Sequence, residues 1–147
     1  MARVGAFVSY LVDSDVTIDY LKAQPHTIEL FRTLLTDDIS ISTVVVGEGY
    51  QGIYDGDDPV QAAKDVERLF SEFTVVPFDI DTAKTFGRIR GAALKLVPKP
   101  GDSDIMVAAT AIQHDLILVT RNARHFGRIA GLKLFDWNTV PGNPSGT

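Results

Sequence analysis

Asp102-Ser103-Asp104-Ile105-Met106-Val107-Ala108-Ala109-Thr110-Ala111-Ile112-Gln113-His114-Asp115-Leu116-Ile117-Leu118-Val119-Thr120-Arg121-Asn122 carries two structural signals in succession. From about Ser103 to His114 the pattern predicts an alanine-rich helix. Its small side chains permit close approach, so it is expected to pack directly on a sheet. Leu116 to Val119 is apolar without alternation, which marks a strand covered on both faces. Strands of that kind belong to parallel sheets, whose crossovers are helices.

The same alternation extends in both directions. Upstream, Val8 to Val12 reads as a short buried strand, followed by a helix from about Val16 with Ile18 and Leu21 facing inward. A second helix runs from His26 to Thr36 on the stripe Ile28, Leu30, Phe31, Leu34 and Leu35, and Asp37-Asp38 ends it. Ile39 to Ser42 is a strand, and Thr43 to about Tyr54 a helix weakened by Gly47, Gly49 and Gly52. Asp58 caps a helix that opens on Pro59 and carries Val66, Leu69, Phe70 and Phe73. Thr74 to Phe78 is a strand. Asp79 or Asp81 then caps a helix with Ala83, Phe86, Ile89, Ala93 and Leu94, which Pro98-Lys99-Pro100-Gly101 terminates. Downstream, Leu132 to Phe135 is the last strand, ending at Asp136-Trp137. The expected fold is α/β: a central, mostly parallel sheet of about five strands flanked by helices on both faces. Residues 1–138 form one domain, and 139–147 a flexible tail.

A chain of 147 residues, 45% apolar and 22% charged, suits one soluble domain with a true core. The absence of cysteine excludes disulfides, zinc–thiolate sites and thiol nucleophiles and suits a reducing cytoplasm. No apolar run reaches the roughly 18 residues of a membrane span, and the opening Met1–Phe7 shows no signal-peptide pattern, so a cytoplasmic location is expected. The net charge of −5 argues against nonspecific coating of nucleic acid. Between Lys84 and Arg128, however, eight basic and three acidic residues give +5, so the remainder carries −10. A basic segment of this kind suits an anionic substrate.

Acidic residues recur at the ends of the apolar runs. Asp13 closes the first strand, Glu48 follows Ile41–Gly47, Asp102 and Asp104 precede the alanine-rich helix, and Asn122 follows the run from Leu116. In open parallel sheets ligands gather beyond the carboxyl ends of the strands. Carboxylates collected there repel one another unless a cation lies between them, and oxygen-only ligands suit Mg²⁺ or Mn²⁺. The ordinary alternatives are helix caps for Asp13, Asp15 and Asp102, an exposed loop for Glu48, and a turn for Asn122. Of the neighbouring pair, Asp104 is favoured as ligand and Asp102 as cap or support. Thr120 and Asn122 can hold water or a phosphate oxygen. His26 and His114 read as surface residues near helix ends, and His125 as the neighbour of a core phenylalanine. Ser14, Ser42 and Ser103 lack the setting of a nucleophilic serine.

The segments Leu11–Val16, Ile41 through Glu48, Gly101–Ala111 and Leu118–Asn122 with His125-Phe126, closed by Gly131-Leu132 to Asp136-Trp137, together resemble the PIN-domain ribonucleases, specifically the toxin component of VapBC-type toxin–antitoxin pairs. The resemblance spans about Tyr10 to Trp137. It implies a PIN-like fold and an endoribonuclease dependent on Mg²⁺ or Mn²⁺. Asp13, Glu48 and Asp104 match the acidic, metal-holding positions, and Asn122 a fourth catalytic position that is Asp or Asn in relatives. Thr120 matches a neighbouring polar position. Asp15 stands where many relatives have Asn, and Gly47 and Gly49 replace larger residues around Glu48.

The resemblance further implies hydrolysis by activated water leaving a 5′-phosphate and a 3′-hydroxyl, a homodimer, and a VapB-type antitoxin reaching the acidic groove. Arg88, Lys99, Arg121 and Arg124 are candidate contacts to the RNA backbone. Asp15, Asp102 and Thr120 are candidate accessory groups. Two other readings remain. Asp13-Ser14-Asp15-Val16-Thr17 also fits the opening of a haloacid-dehalogenase-like phosphatase with Asp13 as nucleophile. Alternatively, the chain is a catalytically inert module that binds RNA or protein.

Overall fold

The computed structural model describes residues 9–34 and 38–142. Met1–Val8, Leu35–Asp37 and 143–147 lie outside the described residues, and with them the expectations for Val8, for the Leu35–Thr36 end of the second helix and for the end of the tail. The described chain alternates as expected. Strand β1 (Ser9–Val12) leads through helices α1 (Ser14–Leu21) and α2 (Pro25–Thr33) to β2 (Asp38–Ser42). Helices α3 (Thr43–Asp55) and α4 (Pro59–Ser71) precede β3 (Thr74–Val76). Next come α5 (Ile80–Ala93), α6 (Asp102–Gln113), β4 (Ile117–Val119), the single turn α7 (Ala123–Phe126), β5 (Lys133–Leu134) and a 3₁₀ turn, Trp137–Thr139.

All the strand pairings are parallel, in the order β3-β2-β1-β4-β5. Leu11 is opposite Ser40 on one side and Leu118 on the other. The chain moves outward from β1 to β3, then returns across the sheet to β4. With right-handed crossovers that reversal puts helices on both faces. It also makes the gap between β1 and β4 the switch point, where a crevice opens beyond the carboxyl ends.

Leu11, Val12, Ile41, Leu118 and Val119 are fully buried, as a doubly covered sheet requires. Ile105, Ala108, Ala109 and Ala111 of α6 are fully buried too, so the alanine-rich helix does pack closely. Asp58 and Asp79 cap α4 and α5 by accepting Gln61 N–H and Thr82 N–H.

Several helix faces differ from expectation. In α1, Val16 and Thr17 are buried, whereas Ile18 and Leu21 are 48% and 39% exposed. Those two side chains, with Val45, Ile53, Val66 and Leu69, line a groove of about 440 Å³ between α1, α3 and α4. Ile28 of α2 is also exposed. The inner face of α5 is Thr82, Thr85, Ile89 and Ala93, not Ala83. Its buried hydroxyls are satisfied by Asp79 and Gln113. Val140, within the stretch expected as tail, is buried, and its N–H bonds the Trp137 carbonyl.

Candidate active site

Asp13 is the residue immediately after β1. Its N–H bonds Val119 O at 2.9 Å, which extends the β1–β4 ladder by one residue and fixes the side chain at the switch point. It is also the N-cap of α1, with Oδ1 accepting Ser14 N–H at 2.8 Å. Asp13 is thus the cap of α1 and at the same time stands at the switch point. The other oxygen, Oδ2, accepts the Thr120 hydroxyl from the end of β4 at 2.9 Å.

Thr120 ties three groups together. Its hydroxyl also lies 3.4 Å from Asp15 Oδ2 and accepts Asn122 N–H at 3.1 Å. Trp137 Nε1–H donates to the Thr120 carbonyl at 2.8 Å and so anchors this backbone from the far side. Asp15 accepts Val16 N–H at Oδ1 and Arg121 N–H at Oδ2, which clips the first turn of α1 to the loop after β4. It does not cap the helix from outside.

Glu48 sits on the exposed side of α3, and Asp104 half-buried in the first turn of α6. Helix α3 packs against both α4 and α6, which carries Glu48 toward Asp104. Burial, then the charge of Asp15, with a smaller contribution from Asp104, pushes the Asp13 carboxyl up to about 7. Partial burial, then Asp104 and Asp15, raises Glu48. Burial raises Asp15. Four carboxylates from α1, its cap, α3 and α6 thus share one electrostatic pit.

Among the described residues, no group of three or more His, Asp or Glu side chains is drawn together tightly enough to cage an ion as it stands. The donors nevertheless fit a hard divalent ion: all are carboxylate oxygens, and burial with neighbouring carboxylates raises Asp13, Asp15 and Glu48.

Other expected site residues fall into place differently. Asp102 is not the α6 cap, a position held by Gly101. As the first residue of the helix it turns outward to an exposed ion pair with Arg90 Nε at 3.0 Å. Asn122 is the exposed N-cap of α7, with no side-chain cap bond. Arg121 stacks over the Trp137 ring, 4.6 Å from its centre. Arg124, Lys99 and Arg88 are exposed.

His125 and Arg128 join the site unforeseen. His125 Nε2 lies 3.1 Å from Asp104 Oδ2, and Arg128 Nη2 lies 2.8 Å from His125 Nδ1. The available signal was the i, i+3 spacing of His125 and Arg128 after a strand end that already carried site residues. His26, expected at the surface, is half-buried and bonds Asp19 Oδ2 at 3.2 Å.

A family model described as the PIN domain matches residues 10–132. The chain belongs to the PIN-domain family. Similar proteins include the ribonuclease VapC2 of Haemophilus influenzae, 28% identical over 130 residues that cover 88% of this chain and 98% of that one. Another is the tRNA(fMet)-specific endonuclease VapC of Shigella flexneri, 28% identical over 131 residues, covering 89% and 99%. Among solved structures, DNA-bound VapBC from Salmonella typhimurium superposes with a TM-score of 0.79 at 29% identity, over 89% of this chain and 99% of that chain. In this PIN domain the Asp13 carboxylate belongs to a shared acidic pit, and the phosphatase alternative, which rested on the Asp13–Thr17 motif and a superficial likeness at Gly101-Asp102, falls away.

Proposed function

We propose that this PIN domain is a Mg²⁺- or Mn²⁺-dependent endoribonuclease and the toxin of a toxin–antitoxin pair. The observation that carries the reading is the gathering of carboxylates at the β1–β4 switch point, where burial and the neighbouring Asp15 push the Asp13 carboxyl up to about 7. Its relatives named VapC ribonuclease supply the substrate class.

Asp13, Glu48 and Asp104 are the residues that would hold the ion. When bound, the ion polarises a scissile phosphate and lowers the pKa of an attacking water. Thr120 orients Asp13 through its hydroxyl, and Asp15 fixes the loop that carries Thr120. Asn122 is the amide best placed in sequence to meet a phosphate oxygen, and Arg124, Lys99, Arg121 and Arg88 are the candidate cations for the RNA backbone. Asp102 stays outside this set because Arg90 already pairs it.

The partner is a VapB-type antitoxin, as in the VapBC complexes of structural relatives. A homodimer is expected by the same family reasoning. No described helix is long and apolar enough to cross a membrane, and work on RNA suits a cytoplasmic protein.

The test is cleavage of total RNA by purified protein with Mg²⁺, with Mn²⁺ and with EDTA. Cleavage should need the ion, leave 5′-phosphate ends, and vanish in Asp13→Ala and Asp104→Ala. Full activity in EDTA, or in both variants, refutes the assignment. Calorimetric Mn²⁺ binding separates an enzyme from an inert module, which would bind none.

A further inference from the structure

We propose that His125 is a positioning residue for Asp104, and that Arg128 sets the tautomer in which it acts. The proposal rests on the reading of Asp104 as a metal-holding carboxylate and adds two residues to that reading.

The hydrogen-bond roles follow from the chemistry of the groups. A guanidinium has donors and no acceptor. Arg128 Nη2, 2.8 Å from His125 Nδ1, must therefore donate, so Nδ1 is unprotonated. The ring proton then sits on Nε2. There it donates to Asp104 Oδ2 at 3.1 Å. The opposite tautomer would set a ring N–H against the guanidinium and a bare nitrogen against a carboxylate oxygen, losing both bonds at once.

Arg128 is itself held. Its Nε donates to the His125 carbonyl at 3.1 Å, and Nη1 donates to the Pro98 carbonyl, in the loop that delivers the chain to α6. The guanidinium thus ties together α7, the loop before α6 and the imidazole. Phe126, fully buried, anchors α7 from below, and its ring meets the His125 ring edge-on with centres 5.7 Å apart.

The consequence lies in which oxygen Asp104 offers. With Oδ2 held by His125, the carboxylate cannot rotate freely, and Oδ1 is available to the pit. Asp104 lies in the first turn of α6, where no other described side chain bonds its carboxylate. Groups that hold a ligating carboxylate commonly matter to metal affinity nearly as much as the ligand.

Two measurements on the full chain test this. Long-range ¹H–¹⁵N correlation spectra above pH 8 should show His125 protonated on Nε2 in the wild type and a mixture of tautomers in Arg128→Met. Mn²⁺ calorimetry should show His125→Leu about tenfold weaker or more, and His125→Gln, whose amide can make both bonds, within about threefold of wild type. An Nδ1-protonated wild-type ring overturns the proposal, as does wild-type Mn²⁺ affinity in a folded His125→Leu. If His125→Leu does not fold, Arg128→Met takes its place: weaker Mn²⁺ binding with mixed tautomers supports the proposal, and unchanged affinity overturns it. Failure of the underlying function reading is told apart because the wild type itself would then bind no Mn²⁺.

Discussion

Replacing Asp13 with Asn should stabilise the metal-free protein while destroying its activity. Asp13 is 6% exposed, and its carboxyl is pushed from 3.8 to about 7, by burial first and by Asp15 second. The folded state therefore holds the proton more tightly than the unfolded chain does. Below about pH 4 both states are protonated and no penalty exists. Between about pH 4 and 7 the unfolded chain ionises while the folded one does not, so stability falls as pH rises, and above about 7 the full penalty remains. At about 1.4 kcal/mol per pH unit the ceiling is about 4 kcal/mol. Water penetration and local relaxation reduce this to roughly 2 kcal/mol, a change of about 4–8 °C in Tm for a domain of this size. Asn preserves the geometry: its carbonyl accepts Ser14 N–H, and its amide donates to the Thr120 hydroxyl, which then turns to Asp15. The assay is thermal unfolding of both proteins in EDTA at pH 8 and pH 4. Asp13→Asn should melt higher at pH 8, and the two should converge at pH 4. Millimolar Mn²⁺ should raise the wild-type Tm by mass action and leave the variant nearly unmoved. A variant that melts at or below wild type at pH 8 refutes the account of Asp13 as an uncompensated buried anion.

Four further outcomes follow from the geometry. Asp104→Asn should abolish RNA cleavage, whereas Asp102→Asn should retain it and change stability by no more than about 0.5 kcal/mol, since an exposed ion pair contributes little; loss of cleavage in both would return Asp102 to the site. Trp137→Phe removes the donor to the buried Thr120 carbonyl and should cost about 1–3 kcal/mol in denaturant unfolding; an unchanged midpoint would mean that carbonyl finds another partner. Gly47→Ala places its methyl in open space on α3 and should gain about 0.5–1 kcal/mol, while Gly49→Ala puts one 2.7 Å from the Phe70 ring and should fall below it in stability; equal melting temperatures would contradict the close α3–α4 approach. RNA binding should weaken as salt rises, with a shallower slope in Arg124→Ala if that side chain meets a phosphate.

The parts of the fold legible in the sequence are those where burial is nearly total. The run Leu116 to Val119 and the alanine-rich helix before it admit few alternatives, because an unbroken apolar strand must be covered on both faces and a helix of small residues must be covered closely. The same reasoning reaches Asp13 and Asp104, since an acid just past such a strand or helix start is expensive unless something else compensates it. Half-buried surfaces carry less information. Ile18 and Leu21 obey helical periodicity, but the pattern cannot say whether an apolar face meets the core or an open groove, and here it meets a groove. Asp102 and Asp15 look alike as cap candidates; what distinguishes them is Arg90 on one side and the β4 loop on the other, both remote in sequence. His125 was least legible, because a histidine's role depends on which of its nitrogens carries the proton, and only the positions of Asp104 and Arg128 decide that. The acidic pit is thus announced by its desolvation cost, which local sequence encodes. The groups that aim its carboxylates act through directional bonds between residues up to 107 positions apart, as Thr120 does with Asp13, and such bonds become readable only once the chain has closed on itself.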